Sequence, residues 1–160
     1  MEKNARSKIA LPPVSQIGIV VKDAQKAADH YSATFGIGPF NIQDIEIQGA
    51  TLRGKPAATA KLRIALGQTG TIQIEFIQVL EGGELYTEFL KSKGEGLHHL
   101  GIYVEDFDTF NRLLNELEKE GIKPLFVRKG RASGFAYLDT QAVGGAILEL
   151  MNPPKKDSKQ

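Results

Sequence analysis

The chain has 160 residues, enough for one domain or for two small modules sharing a core, and its 41% hydrophobic and 24% charged content is that of a globular protein. A net charge of +1 gives no electrostatic reason to bind nucleic acid or an acidic membrane, and the absence of cysteine excludes disulfides and thiolate chemistry. No apolar run approaches the roughly 18 residues of a membrane span, and the polar start is unlike a signal peptide, so the expected location is cytoplasmic.

Residues 1–13 read as a loose lead-in that ends at Pro12-Pro13. Residues 14–21 then alternate, with Gln16, Gly18 and Val20 on one side and Ile17, Ile19 and Val21 on the other, as in a half-buried strand. Asp23 is a good helix N-cap, and Ala24, Ala27, Ala28, Tyr31 and Phe35 follow at helical spacing as far as Gly36. Strands are expected at 40–47, 60–66 and 71–79; in the last, Gln73, Glu75 and Ile77 oppose Ile72, Ile74 and Phe76. Residues 84–93 read as a linking helix with Leu85, Phe89 and Leu90 inward. A Gly94-Glu95-Gly96 turn leads into Leu97-His98-His99-Leu100-Gly101-Ile102-Tyr103-Val104. Strict alternation puts His99, Gly101 and Tyr103 on one face and sends His98 to the other. Phe107, Phe110, Leu113, Leu114 and Leu117 mark a second long helix, and strands are expected at 123–128, 134–138 and 146–151. The charged residues 153–160 read as a disordered tail.

The chain repeats itself. Residues 16–23, Gln-Ile-Gly-Ile-Val-Val-Lys-Asp, lie over residues 99–106, His-Leu-Gly-Ile-Tyr-Val-Glu-Asp, at a constant offset of 83. The final strands match as well, with Ile74-Glu75-Phe76-Ile77 lying over Leu148-Glu149-Leu150-Met151 at an offset of 74. Each half therefore reads β-α-β-β-β, and the halves span residues 14–80 and 97–152 of a single domain, 14–152. The fold class expected is α+β: paired βαβββ modules forming a curved mixed sheet around a metal-binding cavity.

Glu75 and Glu149 each sit in an apolar run, where an unpartnered carboxylate is costly. If the halves pair about a pseudo-twofold, Gln16, Glu75, His99 and Glu149 occupy equivalent places on the first and last strands of each half. Gln73 shares the Glu75 face and is the alternative if the register slips. One nitrogen, three oxygen-bearing groups and no sulfur suit Zn, Ni, Co, Mn or Fe(II). With both glutamates ionised and His99 neutral, a divalent ion brings the site to zero formal charge. Lys129 and Arg131, beside Gly130 in an expected hairpin, are candidates to hold a substrate phosphate or carboxylate.

Taken together, residues 14–151 resemble the vicinal oxygen chelate superfamily, which contains glyoxalase I, methylmalonyl-CoA epimerase, extradiol dioxygenases and the bleomycin-resistance proteins. The local likeness is to methylmalonyl-CoA epimerase: residues 89–99, Phe-Leu-Lys-Ser-Lys-Gly-Glu-Gly-Leu-His-His, resemble that family's run into its second metal histidine. Residues 74–77 and 144–150 resemble its other metal-bearing strands. The resemblance implies one divalent ion, with Zn, Co, Ni and Mn the candidates. It also implies Glu149 as catalytic base with Glu75 its symmetry-related counterpart, a small-molecule substrate such as an acyl-CoA, and a homodimer. Two departures stand out. Gln16 replaces the histidine of many epimerases, so that the set Gln, Glu, His, Glu resembles zinc-type glyoxalase I and counts against an extradiol dioxygenase. The region holding the epimerases' further acid/base glutamate carries an insertion with Arg53-Gly54-Lys55-Pro56 here, leaving Glu46 as its candidate equivalent. The expected activity is proton transfer next to a carbonyl or thioester, as in the epimerase; a glyoxalase I-like lyase and a non-catalytic small-molecule-binding protein are the alternatives.

Overall fold

The computed structural model describes residues 9–142 and 144–153. The first half runs β1 (Gln16–Val20), α1 (Ala24–Phe35), β2 (Phe40–Ile47), a short hairpin of β3 (Ala50–Leu52) and β4 (Lys55–Pro56), then β5 (Ala60–Thr69) and β6 (Ile72–Glu81). A linking helix, α2 (Glu84–Lys93), precedes the second half: β7 (Gly96–Tyr103), α3 (Phe107–Lys119), β8 (Pro124–Lys129), β9 (Gly134–Leu138) and β10 (Ile147–Asn152). The same device starts both long helices. Asp23 accepts the Lys26 backbone N–H at 3.0 Å and Asp106 accepts that of Thr109 at 2.7 Å.

All ten strands join one sheet in the order β2-β5-β6-β1-β7-β10-β9-β8-β3-β4. The halves meet where β1 pairs antiparallel with β7, flanked by the parallel pairs β1–β6 and β7–β10. The register carries the sequence repeat into the backbone. Gly18 lies opposite Glu75 as Gly101 lies opposite Glu149. At the junction Gln16 faces Gly101 and Gly18 faces His99, so exchanging the two halves maps this ladder onto itself.

Alternation then sorts the side chains. On the outer face, α1 packs Ala24 and Ala28 against Ala65, Ile74 and Phe76, while α3 packs Phe110, Leu113, Leu114 and Leu117 against Ala136, Leu138 and Leu150. The inner face carries Leu62, Ile64, Ile77 and Tyr137, closed at one end by Leu85 and Tyr86 of α2. Residues 9–13 were expected to be loose, but Ile9 and Leu11 are partly buried against the α3 cluster, which removes their apolar side chains from water. The rest of the expected loose start and most of the tail lie outside the described residues.

The β3–β4 hairpin is an addition to the sequence reading. Arg53 and Gly54 form its two-residue turn, both at positive φ (49° and 76°) as a type I′ turn requires. Its β3 pairs with β8, placing Ala50 opposite Arg128 and Leu52 opposite Phe126. A strand pair from the first half thus extends the sheet of the second. Only Gln48 and Gly49 separate β2, at one end of the strand order, from β3 near the other, so the sheet must curl into a cup. Arg53 also donates to Glu88 of α2 through both terminal guanidinium nitrogens, the shorter contact 2.6 Å.

Candidate metal centre

Inward alternation on the four central strands brings four side chains to one point. His99 Nε2 faces Glu149 Oε2 at 2.9 Å, Gln16 Oε1 at 3.2 Å and Glu75 Oε2 at 3.4 Å. Ligand atoms of Glu75, His99 and Glu149 all lie within 4.8 Å of one another, a group that can hold a metal ion. All four side chains come from one chain, two from each half.

Two glycines make the approach possible. A Cβ on Gly18 would lie 1.9 Å from the His99 ring, and one on Gly101 would lie 2.8 Å from Gln16. These are repeat-related positions, so each half supplies the gap that the other half's polar side chain fills. The Gln16 amide is oriented from behind. Its Nε2 donates to Gln73 Oε1 at 2.7 Å and lies 3.3 Å from the Tyr103 hydroxyl, which itself donates to Gln73 Oε1 at 2.8 Å. With the amide nitrogen engaged, Oε1 is turned toward His99. Gln73 thus stands behind Gln16, in the register that leaves Glu75 at the cluster.

The centre is strongly polarised. Burial works against charge on His99, but the Glu149 carboxylate beside it, with Glu75 in support, prevails and holds the imidazole pKa at about 10. Burial raises the Glu149 carboxyl, while His99 opposes the rise. Tyr103 is pushed up to about 12, by burial first and then by the two glutamates, so its hydroxyl stays protonated.

The donor set fits a divalent ion. One imidazole N–H can serve one acceptor, yet three oxygens converge on His99 Nε2. Glu149 Oε2 comes nearest but has no hydrogen bond, although it is buried. While His99 is protonated its charge partners this oxygen; once His99 is neutral, a buried carboxylate oxygen here is costly unless another cation satisfies it. One nitrogen and three oxygens, with formal charge −2 when His99 is neutral, suit a borderline divalent metal.

His98 corrects the alternation argument. Between β1 and β7 the register slips: Gly18 lies opposite His99 while its neighbour Ile19 lies opposite Leu97. His98 is the extra residue of a β-bulge, which lets two successive side chains point to one side. Its ring is 2% exposed, lies 3.1 Å from His99 between the two Nδ1 atoms, and packs against Tyr86, Phe89 and Tyr137. Burial and the neighbouring His99 charge hold its pKa down at about 3.

A cavity of about 250 Å³ opens over the cluster, with Glu75, Glu149, Gln16 and Tyr103 on its wall among Ile45, Ile47, Leu62 and Ile64. Sequence reasoning missed its basic group, Arg128. Phe126 belongs to the inner apolar cluster and Val127 packs on the outer one, so the same alternation turns Arg128 inward. Lys129 is exposed, and Arg131 lines a separate groove, which Arg128 also borders. Glu46 is not at the cavity: it is exposed and hydrogen-bonds Gln48, while its strand neighbours Ile45 and Ile47 face inward. Tyr86 and Tyr137 were also missed. Their hydroxyls meet at 2.9 Å in the core, and burial raises both.

Two β-α-β-β-β halves curled around one polar cluster define the fold class, a glyoxalase-like cup of mixed sheet. The chain belongs to the glyoxalase/bleomycin resistance protein/dioxygenase superfamily, whose family model matches residues 15–138. An uncharacterized protein of Bacillus subtilis (strain 168), YqjC, is 25% identical over 144 residues, covering 88% of this chain and 91% of that one. Among solved structures, a single-substitution variant of Streptomyces coelicolor methylmalonyl-CoA epimerase in complex with 2-nitronate-propionyl-CoA superposes with a TM-score of 0.64 at 19% identity, over 94% of this chain and 100% of that one. Methylmalonyl-CoA epimerase from Mycobacterium tuberculosis does so with a TM-score of 0.62 at 23% identity, over 94% and 95%. At these identities the likeness is one of fold. Among the described residues no helix is long and apolar enough to cross a membrane.

Proposed function

We propose that this protein is a metal-dependent isomerase that moves a proton at a carbon next to a thioester or carbonyl, in the manner of methylmalonyl-CoA epimerase. Gln16, Glu75, His99 and Glu149 are the residues that would hold one divalent ion, of the Zn, Co, Ni or Mn type. The observation that carries this reading is the convergence of three oxygens on His99 Nε2 at the wall of an apolar cavity. When bound, the ion supplies positive charge to stabilise negative charge developing on a substrate oxygen.

The chain's own residues supply the rest. Glu149 is the base that takes the proton from carbon; Glu75, its counterpart across the pseudo-twofold, takes up a proton from solvent and delivers it to the opposite face, and Glu149 then loses its own to solvent. Both carboxylates line the cavity, with side chains 7% and 15% exposed respectively. The aliphatic wall keeps water away, and burial raises the basicity of Glu149. Arg128 makes no ion pair with another described residue and is available to a substrate carboxylate. Lys129 and Arg131 lie outside on the hairpin, where the phosphates of an acyl-CoA would emerge. The fold likeness to methylmalonyl-CoA epimerases supports an acyl thioester as substrate.

The position of Glu46 favours a second reading. With that side chain outside, Glu75 and Glu149 are the carboxylates on the cavity wall among the described residues. The pair suits glyoxalase-like isomerisation of a thiol adduct equally well, and a cavity without turnover would be a small-molecule-binding module.

Metal analysis of protein purified without chelator is the first test: about one divalent ion per chain is expected, lost in His99→Ala, and an ion-free native protein refutes the enzyme reading. The second is α-proton exchange of methylmalonyl-CoA in deuterated buffer. Exchange supports the epimerase; no exchange, with turnover of a methylglyoxal–thiol adduct, replaces it by the lyase.

A further inference from the structure

The bulge in β7 puts a second imidazole directly behind the first, and the contact between them is specific. His98 Nδ1 lies 3.1 Å from His99 Nδ1, and both rings are buried, at 2% and 0% exposure. The opposite nitrogen of His99, Nε2, is the one that faces Glu75, Glu149 and Gln16. Two nitrogens in contact share one proton between them, so one donates and the other accepts.

We propose that His98 is the positioning residue for His99: its Nδ1 accepts the Nδ1–H of His99, holding that ring so that Nε2 presents its lone pair to a metal ion. The inference rests on the reading of the cluster as a metal centre. A metal-bound imidazole binds through one nitrogen and needs a partner for the proton on the other. The usual partners are a carboxylate, a carbonyl or a water; here the backbone supplies another imidazole.

Packing alone does not account for a histidine at this position. Its ring is surrounded by Tyr86, Phe89 and Tyr137, with centroids 5.1–5.2 Å away. Phenylalanine would fill such a nest without a polar atom. His98 Nε2 is instead buried with no hydrogen-bond partner. That penalty falls on the nitrogen facing away from His99, as expected if the proton has been moved there to leave Nδ1 free to accept. The sheet is altered to suit the contact. Without the extra residue, strict alternation would send His98 to the outer face. The equivalent strand of the first half, β1, pairs with β6 without a slip: Ser15 precedes Gln16, whose orientation comes from Gln73 and Tyr103 instead.

Substitution combined with imidazole ¹⁵N NMR tests the assignment. His98→Phe keeps the ring volume and removes the acceptor, and His98→Asn places an amide oxygen near the Nδ1 position. Zinc affinity, read by chelator competition, is expected to fall about 10–100-fold in His98→Phe and to recover largely in His98→Asn. Native affinity in the folded phenylalanine variant, or no recovery with asparagine, overturns the proposal. The ¹⁵N spectrum of the native protein decides even if no ion binds or a variant fails to fold. A bare His98 Nδ1 beside a protonated His99 Nδ1 supports the assignment, and a protonated His98 Nδ1 overturns it. Absence of metal from a native protein with the expected tautomers would refute the metal centre and leave the His98–His99 hydrogen bond standing.

Discussion

At His99 a proton and a metal ion compete for one lone pair. In the metal-free site burial resists protonation, but the Glu149 carboxylate outweighs it and keeps the ring charged up to a pKa of about 10. The folded pKa is above the ordinary 6.5, so the stabilisation from this pair is fully present below about pH 6.5 and is lost as pH rises toward 10. Metal binding has the opposite dependence, because the proton must leave first. Apparent zinc affinity should therefore rise about tenfold per pH unit between pH 6.5 and 8.5, with one proton released per ion. Calorimetry in buffers of different ionisation enthalpy measures that proton directly, and a pH-independent affinity would mean that His99 is not a ligand. The quartet of residues was legible because Gln16, Glu75, His99 and Glu149 recur at matching places in a repeat. His98 was not, since a one-residue register slip leaves no mark in an alternating apolar pattern.

The β1–β7 ladder shows how elements confine these side chains. Gly18 and Gly101 each lie beneath a polar group from the opposing strand, and the sequence carries them in the matching runs Ile17-Gly18-Ile19 and Leu100-Gly101-Ile102. Extended backbone tolerates alanine at such a position, so the requirement is one of space. The nearest neighbour at Gly18 is the His99 ring, wedged by Glu149, Gln16 and His98, which leaves it nowhere to turn. Gly18→Ala should cost about 1–3 kcal/mol of stability by overpacking and abolish zinc binding. Urea unfolding and chelator competition measure the two effects, and a variant with native zinc affinity would mean that the ring has another stable position. Helix α1 was readable from its Asp23 cap and apolar spacing, and α2 and α3 from apolar spacing, as were most strands. The β3–β4 hairpin escaped because its strands are three and two residues long, too short to display a period. Its pairing partner β8 lies in the other half of the chain, which local sequence does not encode.

For the whole molecule, the cluster is where the halves are joined by more than one ladder. Gln16 and Glu75 belong to the first half, His99 and Glu149 to the second, and the strands carrying them lie side by side as β6-β1-β7-β10. An ion bound by all four would tie both halves, reinforcing the β1–β7 junction and the β3–β8 pairing that already connect them. Unfolding either half would then release the ion, so its binding energy is added to the stability of the entire domain. At free zinc one hundred times the dissociation constant, linkage gives about 2.7 kcal/mol. For a domain of this length that corresponds to a rise of about 5–10 °C in the melting temperature. Calorimetric scans of the same preparation with zinc and with chelator should show one transition in each case, shifted as a unit. Two separated transitions, only one of them metal-sensitive, would place the ion within a single half. An unmoved transition at saturating zinc would show that the folded cup holds no ion more tightly than the unfolded chain does.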